Sequence, residues 1–280
     1  PMSYPIYPCL WFDGKAKEAA NFYCSVFAEA QITAENPLVV TIEAAGQKFM
    51  LLNGGPFFTL NPAISFYVVG ETISEVDRAW EKLSKGGVVL MPLDTYPWSE
   101  KYGWIQDKFG VSWQLSAGRL EGVTQKFIPS FMFTQQYAGK AEQAIRFYTS
   151  VFKDSDVRGI LKYSVNDPDV EGTVKHAQFM LNKQVFMAMD SSFPHQFSFN
   201  ESVSFVQECD TQEEIDYFWE KLSAVPEAEQ CGWLKDQYGV SWQIVPKILE
   251  QLMNDSSRSA RVMNAFMQMK KFNIVELIEA

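Results

Sequence analysis

The chain has 280 residues, 47% hydrophobic and 15% aromatic, enough apolar material for two cores and unlike a disordered composition. Thirty-four acidic residues against 24 basic ones give a net charge of -10, which repels phosphate backbones and argues against nucleic acid as a partner. No apolar run approaches the roughly 18 residues of a membrane span, and the opening Pro1-Met2-Ser3-Tyr4 carries no basic flank before an apolar stretch, so a cytoplasmic protein without a membrane partner is expected.

The apolar run from Ile6 to Phe12 predicts a strand ended by Asp13-Gly14, and Ala16, Ala19, Ala20, Tyr23 and Phe27 then recur at helical spacing. Val39 to Ile42 and Phe49 to Leu52 flank Ala45-Gly46 and predict a hairpin. Ile64 to Val69 begins the pattern again, with Ser74 as N-cap of a helix carrying Val76, Ala79, Trp80 and Leu83, and Gly86-Gly87 as its stop. Gly118 to Phe127 is a short polar connection. After it come a strand at Ser130 to Thr134, a helix at Ala141 to Phe152, strands around Lys175 to Leu181 and Val185 to Met189, and a strand at Val203 to Glu208. Asp210 is expected to cap a helix from Glu213 to Leu222, with Glu213 completing a capping box. Beyond Pro246, the helical spacing of Ile248, Leu252, Val262, Met263, Phe266 and Met269 predicts a helical tail that packs on either domain or on a second subunit.

Two segments occur twice. Tyr102-Gly-Trp-Ile-Gln-Asp-Lys-Phe-Gly-Val-Ser-Trp-Gln114 returns as Cys231-Gly-Trp-Leu-Lys-Asp-Gln-Tyr-Gly-Val-Ser-Trp-Gln243, and Gly14 to Phe27 matches Gly139 to Phe152 in register. The offset of about 125 to 130 residues is the size of an ordinary domain and too long for a solenoid repeat. Two tandem domains follow, at 1–120 and 127–247, with the tail at 248–280. In the closing hairpins Asp107 and Asp236 are turn residues bonding their own backbone, and strand alternation puts Trp113 and Gln114 on opposite faces. Cys9, Cys24, Cys209 and Cys231 stand singly and are expected to be reduced thiols.

A strand, a helix and a hairpin used twice per domain, closed by Asp-x-x-Gly-x-x-Trp-Gln, resembles the vicinal oxygen chelate superfamily. Phe12-Asp-Gly14 to Phe22-Tyr23, His176-Ala-Gln-Phe179 and Cys231 to Pro246 are similar to its PhnB-like, demethylubiquinone methyltransferase-like branch, over roughly residues 6 to 247. The resemblance implies an α+β fold of tandem glyoxalase-like domains, each of two βαβββ modules forming a cup. At the positions where metal-dependent members of the superfamily carry His, His and Glu, it places Pro8, Ala63 and Gln114 in the first domain and Pro129, Ser202 and Gln243 in the second. These are not a ligand set for a first-row divalent ion, so no catalytic metal and no cofactor are expected.

His176 and His195 are the only imidazoles. The resemblance makes His176 a cup-facing residue; His195 is expected at the surface, and Asp190 is either a turn residue or a carboxylate facing a substrate. No GxSxG, HExxH, P-loop or glycine-rich strand–helix turn occurs, which disfavours serine hydrolysis, zincin chemistry, nucleotide triphosphate hydrolysis and a methyltransferase that binds a dinucleotide-like cofactor. Two functions stay open. In one, a small partly aromatic or apolar ligand binds without turnover against Trp104 or Trp233 and Gln114 or Gln243, chiefly in domain two. In the other, domain two is an enzyme of the lyase, isomerase or dioxygenase type that uses His176 with Cys231 or Asp190, while domain one, with Val39 and Tyr102 at the matching places, supports it. The assembly is either a monomer or a homodimer.

Overall fold

The computed structural model describes residues 4–280; Pro1-Met2-Ser3, noted above for carrying no basic flank, lie outside the described residues. The first repeat runs β1 (Tyr7–Phe12), α1 (Ala16–Val26), β2 (Gln31–Glu35), β3 (Val39–Ala44), β4 (Gln47–Asn53), β5 (Ile64–Gly70), α2 (Ile73–Ser84), β6 (Val88–Tyr96), β7 (Ser99–Gln106) and β8 (Ser112–Ala117). The second runs β9 (Phe127–Phe133), α3 (Ala141–Val151), β10 (Asp156–Lys162), β11 (Val174–Leu181), β12 (Gln184–Asp190), β13 (Val203–Cys209), α4 (Gln212–Leu222), β14 (Trp233–Lys235) and β15 (Ser241–Pro246). The tail folds as α5 (Ile248–Asn254), α6 (Ser259–Phe266) and α7 (Ile274–Glu279). Among the described residues, no helix is long and apolar enough to cross a membrane.

The chain divides into two compact units, Cys9–Val203 and a smaller one made of Ser204–Ala280 with the N-terminal residues up to Pro8. In the larger unit an eight-stranded sheet has the order β10-β11-β12-β9-β5-β8-β7-β6. Its centre is the antiparallel pairing of β5 with β9, Ser65 opposite Ser130 and Tyr67 opposite Ile128. The last half of the first repeat and the first half of the second are therefore joined by main-chain hydrogen bonds in one sheet. Period-two alternation gives this sheet two distinct faces. On one, Phe66, Trp113, Phe127 and Phe131 pack beneath the helices, with Trp113 meeting Tyr23 and Phe27 at ring-centroid distances of 5.3 and 5.2 Å and Phe131 meeting Tyr148 of α3 at 6.3 Å. The other carries Tyr67, Tyr102, Trp104, Ile128, Met132, Val185 and Met187 as a separate apolar cluster. The same unit holds β1 parallel to β4, with β3 and β2 following as antiparallel neighbours.

In the smaller unit β15 lies parallel to β13 and antiparallel to the short β14. The tail, whose packing partner was open, folds onto this copy: the Cys231 and Gly232 amides donate to the Met269 and Lys270 carbonyls, each at 2.8 Å.

Two helix starts differ from expectation. Thr72, not Ser74, caps α2 by accepting from the Glu75 amide at 3.1 Å, and Thr211, not Asp210, caps α4 by accepting from the Glu214 amide at 3.2 Å. In both, the threonine of Thr-x-x-Glu is the cap, because the hydroxyl must stand three residues before the amide it accepts from. Asp210 accepts the Tyr4 hydroxyl instead, at 2.7 Å. The edge strands β2 and β10 were not foreseen, since their mostly exposed residues show no apolar alternation.

Candidate functional site

The candidate site is the helix-free face of the eight-stranded sheet. Trp104 on β7 stands directly opposite Gln114 on β8, so the two residues expected to line a cup share a face. Both side chains are 8% exposed and both are hydrogen-bonded within the protein. The Trp104 indole N–H donates to Ser112 Oγ at 2.7 Å. Gln114 accepts from the Tyr102 hydroxyl at 2.6 Å and donates through Nε2 to Ser65 Oγ at 2.7 Å, which fixes the orientation of its amide. Burial, with the neighbouring Tyr67 and Tyr96 adding to it, pushes the Tyr102 phenol far above its ordinary pKa, so it stays protonated as the donor Gln114 needs. Tyr67 is also raised, chiefly by burial.

The residues around Gln114 are not a usual ligand set for a divalent ion. The β5 residue that meets Gln114 is Ser65, two positions beyond the expected Ala63, and on β9 alternation turns Pro129 towards the helices and Ser130 towards the cup. The donors present are neutral, and the Gln114 carbonyl already accepts from Tyr102. Such a set supplies neither imidazole nor carboxylate. Among the described residues no group of three or more His, Cys, Asp and Glu is placed to hold a metal.

The second copy of the closing segment repeats part of this arrangement in the smaller unit. Trp233 stands opposite Gln243, and Gln243 Nε2 donates to Ser204 Oγ at 3.0 Å, where Ser202 was the expected position. The turn carboxylates do more than close their turns. Asp107 Oδ1 accepts from the Phe109 and Val111 amides while Oδ2 takes the Tyr23 hydroxyl at 2.7 Å and the Trp113 indole at 2.9 Å. Asp236 likewise accepts from the Tyr238 and Val240 amides and the Trp242 indole.

His176, on β11, faces the cup: Met180 two pairs of residues further on packs against the apolar cluster, while Ala177 and Phe179 are buried on the helix side. Its side chain is exposed to solvent yet has protein around much of it, as on a concave surface, and this partial desolvation lowers the imidazole pKa. Asp190 is 2% exposed and points the other way. It accepts from the Gly139 and Ala141 amides at the start of α3, at 2.8 and 3.1 Å, and from the Val174 amide at 2.9 Å. Asn53 makes the matching bond to Ala16 at 2.9 Å in the first repeat. Asp190 is thus neither a turn residue nor a substrate-facing carboxylate but the clamp that seats α3 on the sheet. Cys231 lies in the smaller unit, partly exposed, with a φ of +50° and its amide held by the tail.

Comparison with known families settles the relationship. The profile of the family described as 3-demethylubiquinone-9 3-methyltransferase matches residues 5–116 and again 125–245. The chain belongs to this family. A PhnB protein from Bacillus cereus is 40% identical over 41% of this chain and 100% of its own, with a TM-score of 0.39. A protein from Staphylococcus aureus is 31% identical over 42% of this chain and 100% of its own, with a TM-score of 0.20. Glyoxalase I from Zea mays, 12% identical, covers 90% of this chain and 97% of its own with a TM-score of 0.58, a likeness of fold. No curated protein sequence matches the chain significantly.

In this PhnB-like protein the residues singled out for domain two fall in both compact units. The β5–β9 pairing puts His176 of the second repeat in the same sheet as Trp104 and Gln114 of the first, whereas Trp233, Gln243 and Cys231 fall in the other unit. Tyr102, taken above as a mark of the supporting half, lies buried in the apolar cluster on this face. The period-two series Tyr102, Trp104 and Ser112, Gln114, Ser116 carried that signal in the sequence. The contact between Ser191 Oγ and His195 Nε2, 2.7 Å apart, left no such mark.

Proposed function

We propose that this PhnB-like protein binds a small, partly aromatic or apolar molecule on the cup face of the eight-stranded sheet, without a catalytic metal. The observation that carries the proposal is the apolar cluster itself. It lies on the sheet face away from the helices, with Tyr67, Tyr102, Trp104, Met132 and Met187 buried in it and Leu120, Val123, Met189 and Phe197 packed against it, the side chains a ligand would have to lie among or displace. Aromatic rings and polarizable methionine sulfurs make a wall suited to a flat, weakly polar ligand. The polar groups among them are bonded to one another, which favours low polarity in whatever lies against them. Methyl transfer is outside the proposal: the described residues form no parallel doubly wound sheet, and the sequence has no glycine-rich strand–helix turn of the kind with which cofactors are commonly cradled. A tryptophan-fluorescence titration against a library of small aromatics tests the binding, with saturable quenching expected and flat titrations throughout overturning it. One stoichiometric divalent ion in the purified protein would overturn its metal-free part.

A further inference from the structure

The cup has a polar end that its apolar wall does not share. On the first-repeat side the hydrogen-bonding groups are committed: Gln114 to Tyr102 and Ser65, the Trp104 indole to Ser112, and Ser116 Oγ to Ser99 Oγ at 2.8 Å. On the second-repeat side, His176 and Gln178 sit two apart on β11, both on the cup face, and neither side chain has a hydrogen bond or ion pair to a described residue. The register sets Ala177 opposite Ala188, so His176 lies beside Met189 on β12, and Ser191 follows two residues later. Ser191 Oγ holds His195 Nε2 at 2.7 Å, and the His195 ring lies 4.9 Å from that of Phe197, which packs against the cup cluster. The Ser191–His195 pair thus follows β12 at the end beside which His176 lies on β11.

We propose that this rim, His176 and Gln178 with the Ser191–His195 pair behind them, takes the hydroxyl of a hydroxylated aromatic ligand whose ring lies against the methionines of β9 and β12. The inference rests on the cup-binding function proposed above and adds the ligand's polarity and orientation. A neutral imidazole offers one acceptor and one donor nitrogen, which suits a hydroxyl that both donates and accepts. Desolvation in the cup favours that neutral form. A carboxylate suits the rim poorly. Lys175, the cation beside His176 in the chain, is committed to Asp167 at 2.9 Å, and Asp169 adds negative charge near His195. The ring itself would find sulfur first at the partly buried Met189 and, beneath it, at the buried Met132 and Met187, a favourable partner for aromatic faces and edges.

Titrations with p-cresol, toluene and p-toluate, followed by NMR shifts of the cup-face methionine methyls, test this. The wild-type protein is expected to bind p-cresol about fivefold to tenfold more tightly than toluene, the span of one to one and a half ordinary hydrogen bonds, and p-toluate most weakly. His176→Ala, a change at an exposed side chain, is expected to bring p-cresol down to the affinity of toluene and leave toluene unchanged. Equal affinities in the wild type, a preference for p-toluate, or an undiminished p-cresol preference in H176A and in a His195→Ala variant would each overturn the rim while leaving apolar binding in the cup standing. Absence of methyl shifts with all three compounds would overturn the rim and the cup together.

Discussion

The two copies of the closing segment share a turn and differ in what surrounds it. In both, a buried Asp collects two turn amides and the indole of the Trp six residues on, and in both the terminal Gln donates to a Ser on the neighbouring parallel strand. The first copy then pairs with the nine-residue β6 and presents Tyr102 and Trp104 to the cup. In the second, β14 has three residues, and the tail's Met269 and Lys270 carbonyls take the amides at its head. Ser112 receives the Trp104 indole, whereas its counterpart Ser241 is buried with no partner for its hydroxyl among the described residues. One turn has thus been conserved within the molecule as a structural lock, while its flanks became a cup wall in one copy and a docking edge for the tail in the other.

The largest expected effect falls on the shared lock. Asp107→Ala strips four donors of their acceptor and Asp236→Ala at least three, all in buried surroundings, and each change is expected to cost about 3–5 kcal/mol in urea denaturation. Near-equal losses support a common lock; a loss below about 1 kcal/mol in either copy breaks the parallel. Next come Gly103 and Gly232, at the same place in the two copies. A Cβ on Gly232 would lie 2.2 Å from the Phe272 ring at a φ of +86°, while one on Gly103 would lie 2.6 Å from Trp80. Gly232→Ala is expected to cost about 2–4 kcal/mol from strain and overpacking together, and Gly103→Ala about 1–3 from overpacking alone. Only the former should expose the tail to limited proteolysis after Pro246; tail cleavage in both, or in neither, contradicts the difference drawn here.

Gln114→Leu leaves the Tyr102 and Ser65 hydroxyls unpaired and should cost about 1–3 kcal/mol, more than Gln243→Leu, measured by thermal melting of both variants. The smallest effect concerns His176, which stands where the first repeat has Val39. Its lowered pKa means the folded state prefers the neutral ring, so its contribution is present above the ordinary histidine pKa and lost as pH falls through the lowered value. His176→Val should slightly flatten the acid side of the stability curve, and an NMR titration of the wild-type ring should place its midpoint below about 6.5. A midpoint above that value would contradict a desolvated cup.

Much of the fold could be read from residue spacing. The duplicated Phe-Tyr helix and the Asp-x-x-Gly-x-x-Trp-Gln hairpin give two tandem domains, and alternation in Val111 to Leu115 already separates Trp113 from Gln114. How the four modules pair was not legible, because a strand such as β9 can hydrogen-bond to any neighbour of matching pattern, and its pairing with β5 is a tertiary choice. Trp104 and Gln114 were legible as partners from the hairpin register, but their sharing a sheet with His176 follows from that same tertiary choice and was not. Asp190 illustrates a different limit. Its type and position suited a turn or a substrate contact, and only the approach of the α3 amides from elsewhere in the chain makes it a clamp.

In the function proposed here, the cup built from Trp104 and the β11–β12 strands, not the second copy around Trp233, receives the ligand. For the tightest aromatic binder found by fluorescence titration, calorimetric affinities of Trp104→Phe and Trp233→Phe test it most directly. The account predicts at least a fivefold loss in W104F and wild-type affinity in W233F; loss in W233F with W104F unaffected would contradict it.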